Sequence, residues 1–337
     1  MSMAPENPKY IGIRDIARLA GVSTATVSRV LNHPEVTSPE IRSRVQQIIA
    51  EQHYVPNQTV KNLFSGTSNS VAIFIYDMSN PFYISLIQTM NQIAFEEKYT
   101  MLICSTANQV KREKEYLDYC LSIRVAGIIL TEGFDMIANT TRTKPPLVMF
   151  DRSGFGTYPM VHSDNAESVQ KAVHYLYNLN HRRIAFAGMA PGLLSIGDRL
   201  QGYCTGLEKR GLPVRKEYIF DMAPQVNIEA GVQAMNYFIA LPDPPTAVIC
   251  ANDMVAHGLI LRAQALHLQI PADLSVIGYD GISSSYFIQQ LTTIQQDIPA
   301  ISRQLFELAT RPQARPRICI IPTKFIYGET CQYRADL

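Results

Sequence analysis

Polar and charged side chains stand directly after several short apolar runs in this sequence. They are Asp77, Asp151, Arg152, Asn252 and Asp280. Carboxylates and amides accept hydrogen bonds from neighbouring hydroxyl groups, and a guanidinium group spans two oxygens with parallel hydrogen bonds. Side chains of these types are suited to binding a sugar or a sugar derivative.

Two further side chains extend this candidate site. Arg199 lies at the start of a predicted helix that follows the apolar run 183–188. Phe82 lies at the start of the helix after Asp77, where its ring could stack on the apolar face of a sugar. The sequence therefore predicts a ligand site that combines charged groups with an aromatic ring.

Structural roles remain open for the same residues. A carboxylate after a strand commonly caps the following helix, which is the alternative for Asp77, Asp253 and Asp280. Phe82 could belong to the core, and Arg199 could instead form a surface ion pair. The carboxylates available for that pair are Asp198 and Glu208.

The apolar runs themselves predict the strands of two parallel sheets. They are too apolar for half-exposed antiparallel strands, and they alternate with helical segments, which is typical of sheets covered by helices on both faces. We therefore expect two similar α/β lobes, with the polar side chains in a cleft past the carboxyl ends of the strands. The first set of runs is 71–76, 101–104, 127–130 and 147–150, and the second is 183–188, 247–250 and 275–279.

The N-terminal segment has the pattern of two short helices joined by a tight turn. Apolar residues at helical spacing predict a first helix over 13–20, which Gly21 ends because glycine accepts a left-handed backbone. Ser23 is placed to cap a second helix over 24–31. The outward-facing residues of that helix would be Thr24, Ala25, Ser28 and Arg29.

This pair of helices is typical of proteins that bind DNA in the major groove. Short side chains near the start of the second helix allow a close approach to phosphates, and Arg29 is long enough to reach a guanine edge. A helical hairpin of an all-α core has similar spacing. A third amphipathic helix, predicted to begin at Ser38 and Pro39, favours the DNA-binding interpretation because three helices close a small core.

Composition limits the classes of protein that the chain can belong to. Its 337 residues, 47% hydrophobic and 18% charged with a net charge of +1, are typical of a globular protein of more than one domain. The six cysteines have no CxxC spacing, which predicts reduced thiols and no metal site. No signal-peptide pattern occurs and no apolar run approaches the roughly 18 residues that cross a bilayer, so we expect a cytoplasmic protein.

The sequence motifs also argue against an enzyme and against a transport receptor. Motifs of the GxGxxG, P-loop and GxSxG types do not occur, so neither enzyme activity nor a cofactor is expected. A sugar-binding transport receptor would share the two lobes, but it would carry an export signal in place of residues 10–66.

The sequence resembles the LacI/GalR family of bacterial transcription regulators. The resemblance is densest in DIARLAGVSTATVSRVLNHPEVTSPEIRSRV (15–45) and HYVPN (53–57), and it continues to KFIYGET (324–330). It implies an α + α/β fold, with a three-helix helix-turn-helix headpiece, a hinge helix and a two-lobed domain like that of periplasmic binding proteins. The sequence departs from the family at Gly12, where a Thr or Ser cap is usual.

The resemblance also implies roles for individual residues. Thr24, Ala25 and Arg29 fall on positions that contact bases in the major groove, and Leu63 falls on the leucine that wedges into the minor groove of a bent operator. The hinge, 57–64, includes Asn57 and Lys61, and here Val60-Lys61-Asn62-Leu63 replaces the common Ala-Arg-x-Leu. The residues that fall on effector-binding positions are Asp151, Arg199, Asn252 and Asp280, with Ser195 and Phe82 at more variable positions of the pocket.

The expected protein is a homodimeric repressor of palindromic operator DNA, controlled by a small molecule between its lobes. Effector binding would change the distance between the headpieces and so the folding of the hinges. An inducer and a corepressor both fit, as does a phosphocarrier protein as the input. The expected domains are the headpiece 10–56, the hinge 57–68 and the effector domain 69–337, with lobes at 69–163 plus 294–321 and at 164–293 plus 322–337.

Overall fold

The structure is a computed structural model that describes residues 11–55, 68–107, 109–131, 145–151, 158–189, 194–222, 226–282, 289–311 and 318–335. The chain divides into two compact units, Met1–Gly66 and Thr67–Leu337. The predicted hinge residues Asn57, Lys61 and Leu63, and the predicted effector residue Arg152, lie outside the described residues.

The first unit contains three helices around a small apolar core. The helices are α1 (Ile13–Ala20), α2 (Thr24–Asn32) and α3 (Pro39–Glu51). Buried side chains at helical spacing come from α1 and α2, and α3 contributes Val45 with partly buried isoleucines around it. The core residues are Ile16, Ala17, Ala20, Val27, Val30 and Val45.

Local capping explains where these helices begin and end. The backbone N–H of Gly12 donates to Asp15 Oδ2 at 3.0 Å, which compensates for the missing side-chain cap at the start of α1. Gly21 ends α1 with φ = 64°, a left-handed conformation that costs glycine little. Ser23 Oγ accepts a hydrogen bond from the backbone of Thr26 at 3.1 Å and so begins α2.

The second unit is built from two six-stranded sheets. The strands are β1 (Ser70–Ile75), β2 (Thr100–Ser105), β3 (Gly127–Leu130), β4 (Leu147–Phe150), β5 (Met160–Ser163), β6 (Ile184–Met189), β7 (Ile219–Asp221), β8 (Ala247–Cys250), β9 (Ser275–Asp280), β10 (Thr292–Gln295), β11 (Ile318–Ile321) and β12 (Lys324–Ile326). The first sheet has the order β11-β5-β4-β3-β1-β2 and is parallel throughout. The second has the order β12-β10-β9-β8-β6-β7, in which only β12 is antiparallel to its neighbour.

Helices cover both faces of each sheet. They are α4 (Pro81–Glu96), α5 (Val110–Ser122), α6 (Asn165–Asn178), α7 (Leu194–Glu208), α8 (Ile228–Ile239), α9 (Asp253–Ala265) and α10 (Ile298–Thr310). In the first lobe, α4 and α10 pack on one face of the first sheet and α5 packs on the other. In the second lobe, α6 and α7 pack on one face of the second sheet, and α8 and α9 on the other.

The chain passes between the two lobes three times. The crossings lie between β5 and α6, between β10 and α10, and between β11 and β12. Each crossing is only a few residues long, so polar residues near it lie close to both lobes. No helix among the described residues is both long enough and apolar enough to span a membrane.

Five of the strands were not expected from the sequence. They are β5, β7, β10, β11 and β12, and all have three or four residues. The segment that forms β10, Thr-Thr-Ile-Gln, is polar although it is mostly buried. Except for β11, whose sequence is Ile-Cys-Ile-Ile, these segments lack the continuous apolar run by which the other strands were predicted.

Candidate DNA-binding helix and interlobe cleft

The outward face of α2 presents the side chains predicted to contact DNA. Thr24, Ala25 and Arg29 are exposed and Ser28 is half-buried, whereas Val27 points into the core. Among the described residues, no carboxylate forms an ion pair with Arg29. Within the described residues 11–55 of the first unit, the guanidinium therefore has no ion-pair partner.

The start of α2 is suited to a phosphate. The first N–H groups of a helix point outward and carry a partial positive charge, and the Ser23 cap fixes where they begin. Arg42 donates to the carbonyl oxygens of Pro34 and Thr37, which holds the connection between α2 and α3. Arg42 therefore helps to hold α2 in a fixed position, as docking of a helix in the major groove requires.

In the second unit, the carboxyl ends of the two sheets face a narrow cleft between the lobes. Six of the eight predicted effector residues line it: Phe82, Asp151, Ser195, Arg199, Asn252 and Asp280. The space between these side chains is about 20 Å³, room for about one water molecule. A neighbouring cavity of about 400 Å³ shares Phe82 and Asp280 with the cleft.

Arg199 is the buried cation of the cleft. Its side chain, which projects from α7, is only 5% exposed. The Nε group donates to Asn165 Oδ1 at 2.9 Å and Nη1 donates to the carbonyl oxygen of Ala251 at 2.6 Å. The guanidinium carbon also lies 3.5 Å from the ring centroid of Tyr279. These contacts rule out the surface ion pair as the role of Arg199.

Asp151 lies just after β4, in the first lobe. Burial raises its pKa to about 6, although the charge of Arg199 and a hydrogen bond from Asn165 act in the opposite direction. The Asn165 amide donates to Asp151 Oδ1 at 3.3 Å. Because Asn165 begins α6 in the second lobe, this hydrogen bond joins the two lobes.

Asp280 ends β9 in the second lobe and faces the same space. Burial raises its pKa to about 6, and the charge of Arg199 is the largest opposing influence. Gln296 Nε2 donates to Asp280 Oδ1 at 2.8 Å, and the side chain of Asn80, in the first lobe, also hydrogen-bonds this carboxylate. Asp280 is thus a second polar connection between the lobes.

The backbone at Asp280 is strained and is held by Asp253. Asp280 has φ = 111°, a region that residues with a Cβ rarely adopt. The carboxylate of Asp253 accepts hydrogen bonds from Ile282 N at 2.7 Å and from Thr293 Oγ1 at 2.6 Å, which fixes the segment directly after Asp280. Burial, and next the charge of Asp280, raise the pKa of Asp253 well above its usual value.

Comparison with known proteins gives the family. A model of the lacI family of bacterial regulatory proteins matches residues 12–57, and a periplasmic binding protein-like domain matches 173–331. The HTH-type transcriptional repressor CytR of Escherichia coli (strain K12) is 34% identical over 297 residues, which cover 87% of this chain and 86% of CytR. The chain belongs to the lacI family.

Solved structures show the same fold as this lacI-family protein. The lac repressor dimer bound to operator and the anti-inducer ONPF has a TM-score of 0.85 at 24% identity, covering 96% of this chain and 100% of that chain. The complex of the transcriptional regulator CelR with cellobiose has a TM-score of 0.65 at 22% identity, covering 95% and 99%. The predicted fold class is confirmed, and so is the prediction of a helix-turn-helix transcriptional repressor.

Asp77 is the described effector residue that this lacI-family structure does not bring to the cleft. Its Oδ1 atom accepts hydrogen bonds from the backbone and hydroxyl of Ser79, at 2.8 and 2.6 Å, in a local turn. The predicted strand ran to Tyr76, but β1 ends at Ile75. Tyr76, the residue directly after β1, lines the cleft in place of Asp77.

Two of the predicted residues combine structural and lining roles. Asn252 caps α9 by accepting a hydrogen bond from Val255 N at 2.9 Å, and it also lines the cleft. Phe82 is buried and lies nearly parallel to Phe150, with 6.0 Å between ring centroids. For Phe82, the core and pocket alternatives left open by the sequence are both present in the structure, whereas the capping role of Asn252 was not expected.

Sequence reasoning missed several cleft residues. They are Tyr76, Asn80, Tyr83, Asn165, Ile196, Val226 and Gln296. Asn80 had a local signal, since Asn followed by Pro81 is a common start of a helix, and it caps α4 through a 2.9 Å hydrogen bond from Phe82 N. Gln296 had none, because its partners Asp280 and Ser163 are distant in sequence.

Proposed function

We propose that this protein represses transcription as a homodimer on palindromic operator DNA, and that a sugar or sugar derivative between its lobes controls its affinity for DNA. The observation that carries the DNA-binding part is the exposed face of α2, on which Arg29 has no carboxylate partner among the described residues. The relatives are repressors rather than enzymes. We accordingly propose a cytoplasmic protein without catalytic activity.

The domain plan follows from this function. Residues 10–56 bind the major groove through Thr24, Ala25, Ser28 and Arg29, and residues 57–68 contact the minor groove through Asn57, Lys61 and Leu63. Residues 69–337 bind the effector and dimerise, with lobes at 69–163 plus 294–321 and at 164–293 plus 322–337. The effector contacts are Phe82, Asp151, Arg152, Ser195, Arg199, Asn252 and Asp280, with Asp77 behind them in a supporting turn.

The geometry of the cleft supports coupling between ligand and lobes. A ring in the cavity of about 400 Å³ could reach Phe82 and Asp280 directly, because that cavity has the size of an ordinary ligand site. Reaching Asp151 and Arg199 requires the space of about 20 Å³ to widen. A ligand that uses both sets of groups therefore changes the distance between the lobes, and with it the DNA-binding geometry.

The chemistry of the cleft supports a hydroxyl-rich ligand. Each hydrogen bond between a hydroxyl group and a buried charged side chain contributes roughly 1.5 to 3 kcal/mol, and Asp151, Asp280 and Arg199 all have this character. The solved CelR complex contains the sugar cellobiose. Its likeness to this chain supports the proposed ligand class.

Selection of DNA fragments tests the proposed repressor. Purified full-length protein is mixed with fragments of its own genome at low ionic strength, and the bound fragments are sequenced. The wild type and an Arg44→Ala control, altered on the exposed side of α3, should enrich the same palindromic fragments. Arg29→Ala should lose about 1 to 3 kcal/mol of specific affinity. Failure of the wild type to enrich any palindrome contradicts the function.

A further inference from the structure

The three crossings between the lobes are short, with one or two residues between the elements that flank each of them. These residues are Asp164 between β5 and α6, Gln296 and Asp297 between β10 and α10, and Pro322 and Thr323 between β11 and β12. A change in the angle between the lobes must be absorbed by the backbone of these few residues. Hydrogen bonds from one crossing to another therefore determine whether the crossings can move separately.

Asp164 connects the first crossing to the third. It stands at the N-cap position of α6, but within the described residues its side chain accepts no hydrogen bond from that helix. Its Oδ1 atom instead accepts a hydrogen bond from Thr323 N at 2.8 Å, and its own N–H donates to the carbonyl oxygen of Ile321 at 3.2 Å. Asp297, at the same position before α10, does cap its helix, by accepting from Ala300 N at 3.0 Å. The carboxylate of Asp164 thus joins two crossings instead of capping its own helix.

Gln296 connects the second crossing to the first and to the interlobe cleft. Its Oε1 atom accepts a hydrogen bond from Ser163 Oγ at 2.6 Å, and its Nε2 group donates to Asp280 Oδ1 at 2.8 Å. The backbone N–H of Gln296 also donates to the carbonyl oxygen of Asp280, at 3.2 Å. All three residues are at most 4% exposed, so bulk water does not compete for these hydrogen bonds.

The two side-chain hydrogen bonds of Gln296 require an amide. Its oxygen meets a hydroxyl donor and its nitrogen meets a carboxylate acceptor, and an amide offers both functions on one group. A glutamate would place a second carboxylate against Asp280. A methionine of similar length would leave Ser163 and Asp280 each with one hydrogen bond fewer, which is costly for buried polar groups.

Together these contacts link all three crossings. Ser163 and Asp164 are neighbours in sequence, so the bond from Ser163 to Gln296 and the bond from Thr323 to Asp164 meet at the first crossing. We call Ser163, Asp164, Gln296 and Thr323 the crossing network. Of its members, Gln296 also lines the cleft beside the predicted effector residue Asp280.

We propose that Gln296 is a positioning residue that joins Asp280 to the crossing network, so that the three crossings loosen together when Gln296 loses its contacts. A ligand hydroxyl that donates to Asp280 Oδ1 competes with Gln296 Nε2 for that oxygen. Binding at Asp280 thereby weakens the contacts that fix the angle between the lobes. This last step rests on the proposed control by a ligand between the lobes, whereas the network itself does not.

Hydrogen exchange of the ligand-free, full-length protein tests the network. Mass spectrometry follows one peptide for each crossing, 160–168, 292–300 and 318–326. Gln296→Met should accelerate exchange about tenfold in all three, although Gln296 itself makes no hydrogen bond to the third crossing among the described residues. Gln201→Met, the same change at an exposed position of α7, should leave the three rates within about twofold of the wild type.

Two variants of Asp280 separate positioning from packing. Asp280→Ala removes the acceptor of Gln296 Nε2 and should accelerate exchange about tenfold at all three crossings. Asp280→Asn keeps an oxygen that can accept from Gln296 and should restore most of the protection. Ser163→Ala is a milder change that breaks the same chain of contacts, and adding it to Gln296→Met should have little further effect, because the bond between the two residues is already lost.

The proposal is overturned if Gln296→Met accelerates exchange only in the peptide 292–300, or if Asp280→Ala and Asp280→Asn behave alike. If Gln296→Met does not fold, Ser163→Ala makes the same test, and acceleration confined to the peptide 160–168 overturns the proposal. Equal loosening of the crossings by Gln201→Met would also overturn it, since the effect would then be general. None of these measurements uses DNA or a ligand, so their failure is distinguishable from failure of the proposed repressor function.

Discussion

At the scale of single residues, three charged side chains of the cleft are buried together around a space that holds about one water molecule. Asp151 and Asp280 are both buried, and Arg199 is the cation that lies with them. Burial is the main cause that raises the pKa of both carboxylates, and the single guanidinium of Arg199 opposes that rise only in part. Burying three charged groups together costs folding free energy, and such clusters are concentrated at ligand-binding and catalytic sites.

The raised pKa of Asp280 predicts how stability depends on pH. Because its pKa is about 6 in the folded protein, the folded state binds a proton between pH 4 and 6 that the unfolded chain releases. The free energy of unfolding should therefore fall as pH rises through this window, by about 3 kcal/mol for this group. In urea titrations followed by circular dichroism, Asp280→Asn should gain stability relative to the wild type from pH 4 to pH 7.

An exposed carboxylate provides the control for that experiment. The Lys171 ammonium, which hydrogen-bonds Glu167, lowers the pKa of Glu167. The contribution of Glu167 to the pH dependence of stability has the opposite sign from that of Asp280. It is also small, because Glu167 is exposed. Glu167→Gln should therefore show no gain relative to the wild type as pH rises. An Asp280→Asn profile parallel to that of the wild type would show that Asp280 titrates normally.

The buried charges of the cleft also predict where an effector binds. Thermal-shift screening with sugars and sugar derivatives should find compounds that raise the melting temperature of the wild type. Asp151→Asn should weaken binding of these compounds about 10- to 150-fold, as expected for loss of one charged hydrogen bond. Glu167→Gln should respond as the wild type does. Equal shifts in Asp151→Asn and the wild type would place the ligand elsewhere.

At the scale of elements, the caps decide which helices are stable enough to present a binding face. The helix α2 has only nine residues, so it depends on its cap and on the core formed with α1 and α3. Ser23 provides that cap through a 3.1 Å hydrogen bond from Thr26 N. The stability of the exposed face of α2 therefore depends on the Ser23 cap as well as on the core.

Removal of the cap should loosen α2 measurably. Ser23→Ala should cost about 1 kcal/mol, which accelerates hydrogen exchange in the peptide that covers α2 about fivefold. Ser43→Ala, on the exposed side of α3, removes a similar hydroxyl without removing a cap and should leave that rate unchanged or slightly lower. Mass spectrometry of the full chain makes the comparison. Equal rates in the two variants would mean that tertiary packing alone holds α2.

A second prediction at the scale of elements concerns the hinge and its contact with the operator. The family resemblance predicts that Leu63, in the hinge 57–64, wedges between central base pairs of the operator. Leu63→Ala should weaken specific operator binding while leaving the affinity for any cleft ligand nearly intact. Asn62→Ala is the matched control for the hinge segment. Wild-type operator affinity for Leu63→Ala in a fluorescence titration would refute the wedge.

At the scale of the whole molecule, sequence features within a single helix or strand predicted more of the structure than contacts between distant segments did. The bounds of α1 were predicted to the residue because Gly12, Gly21 and Ser23 act within one turn of the chain. Strands such as β3 and β8 were predicted because buried parallel strands are continuous apolar runs. The short strand β12 was missed because its pairing with β10, not its composition, makes it a strand.

In the candidate site, too, contacts between residues distant in sequence could not be predicted. Six of the eight predicted effector residues line the cleft, and five of these six are polar side chains. The role of Gln296 could not be predicted, since it joins Ser163 Oγ, at 2.6 Å, to Asp280, at 2.8 Å, across the crossing between the lobes. Contacts of this kind depend on the whole fold and leave no periodic pattern in the sequence.

The proposed function requires α2 to recognise specific bases through its exposed face. The most direct test is to measure the affinity of the wild type and of Arg29→Ala for every single base-pair substitution of a selected operator. Arg29→Ala should lose its preference at one symmetric pair of positions and keep the others. A uniform loss across all positions, or no loss at any of them, would contradict the claim.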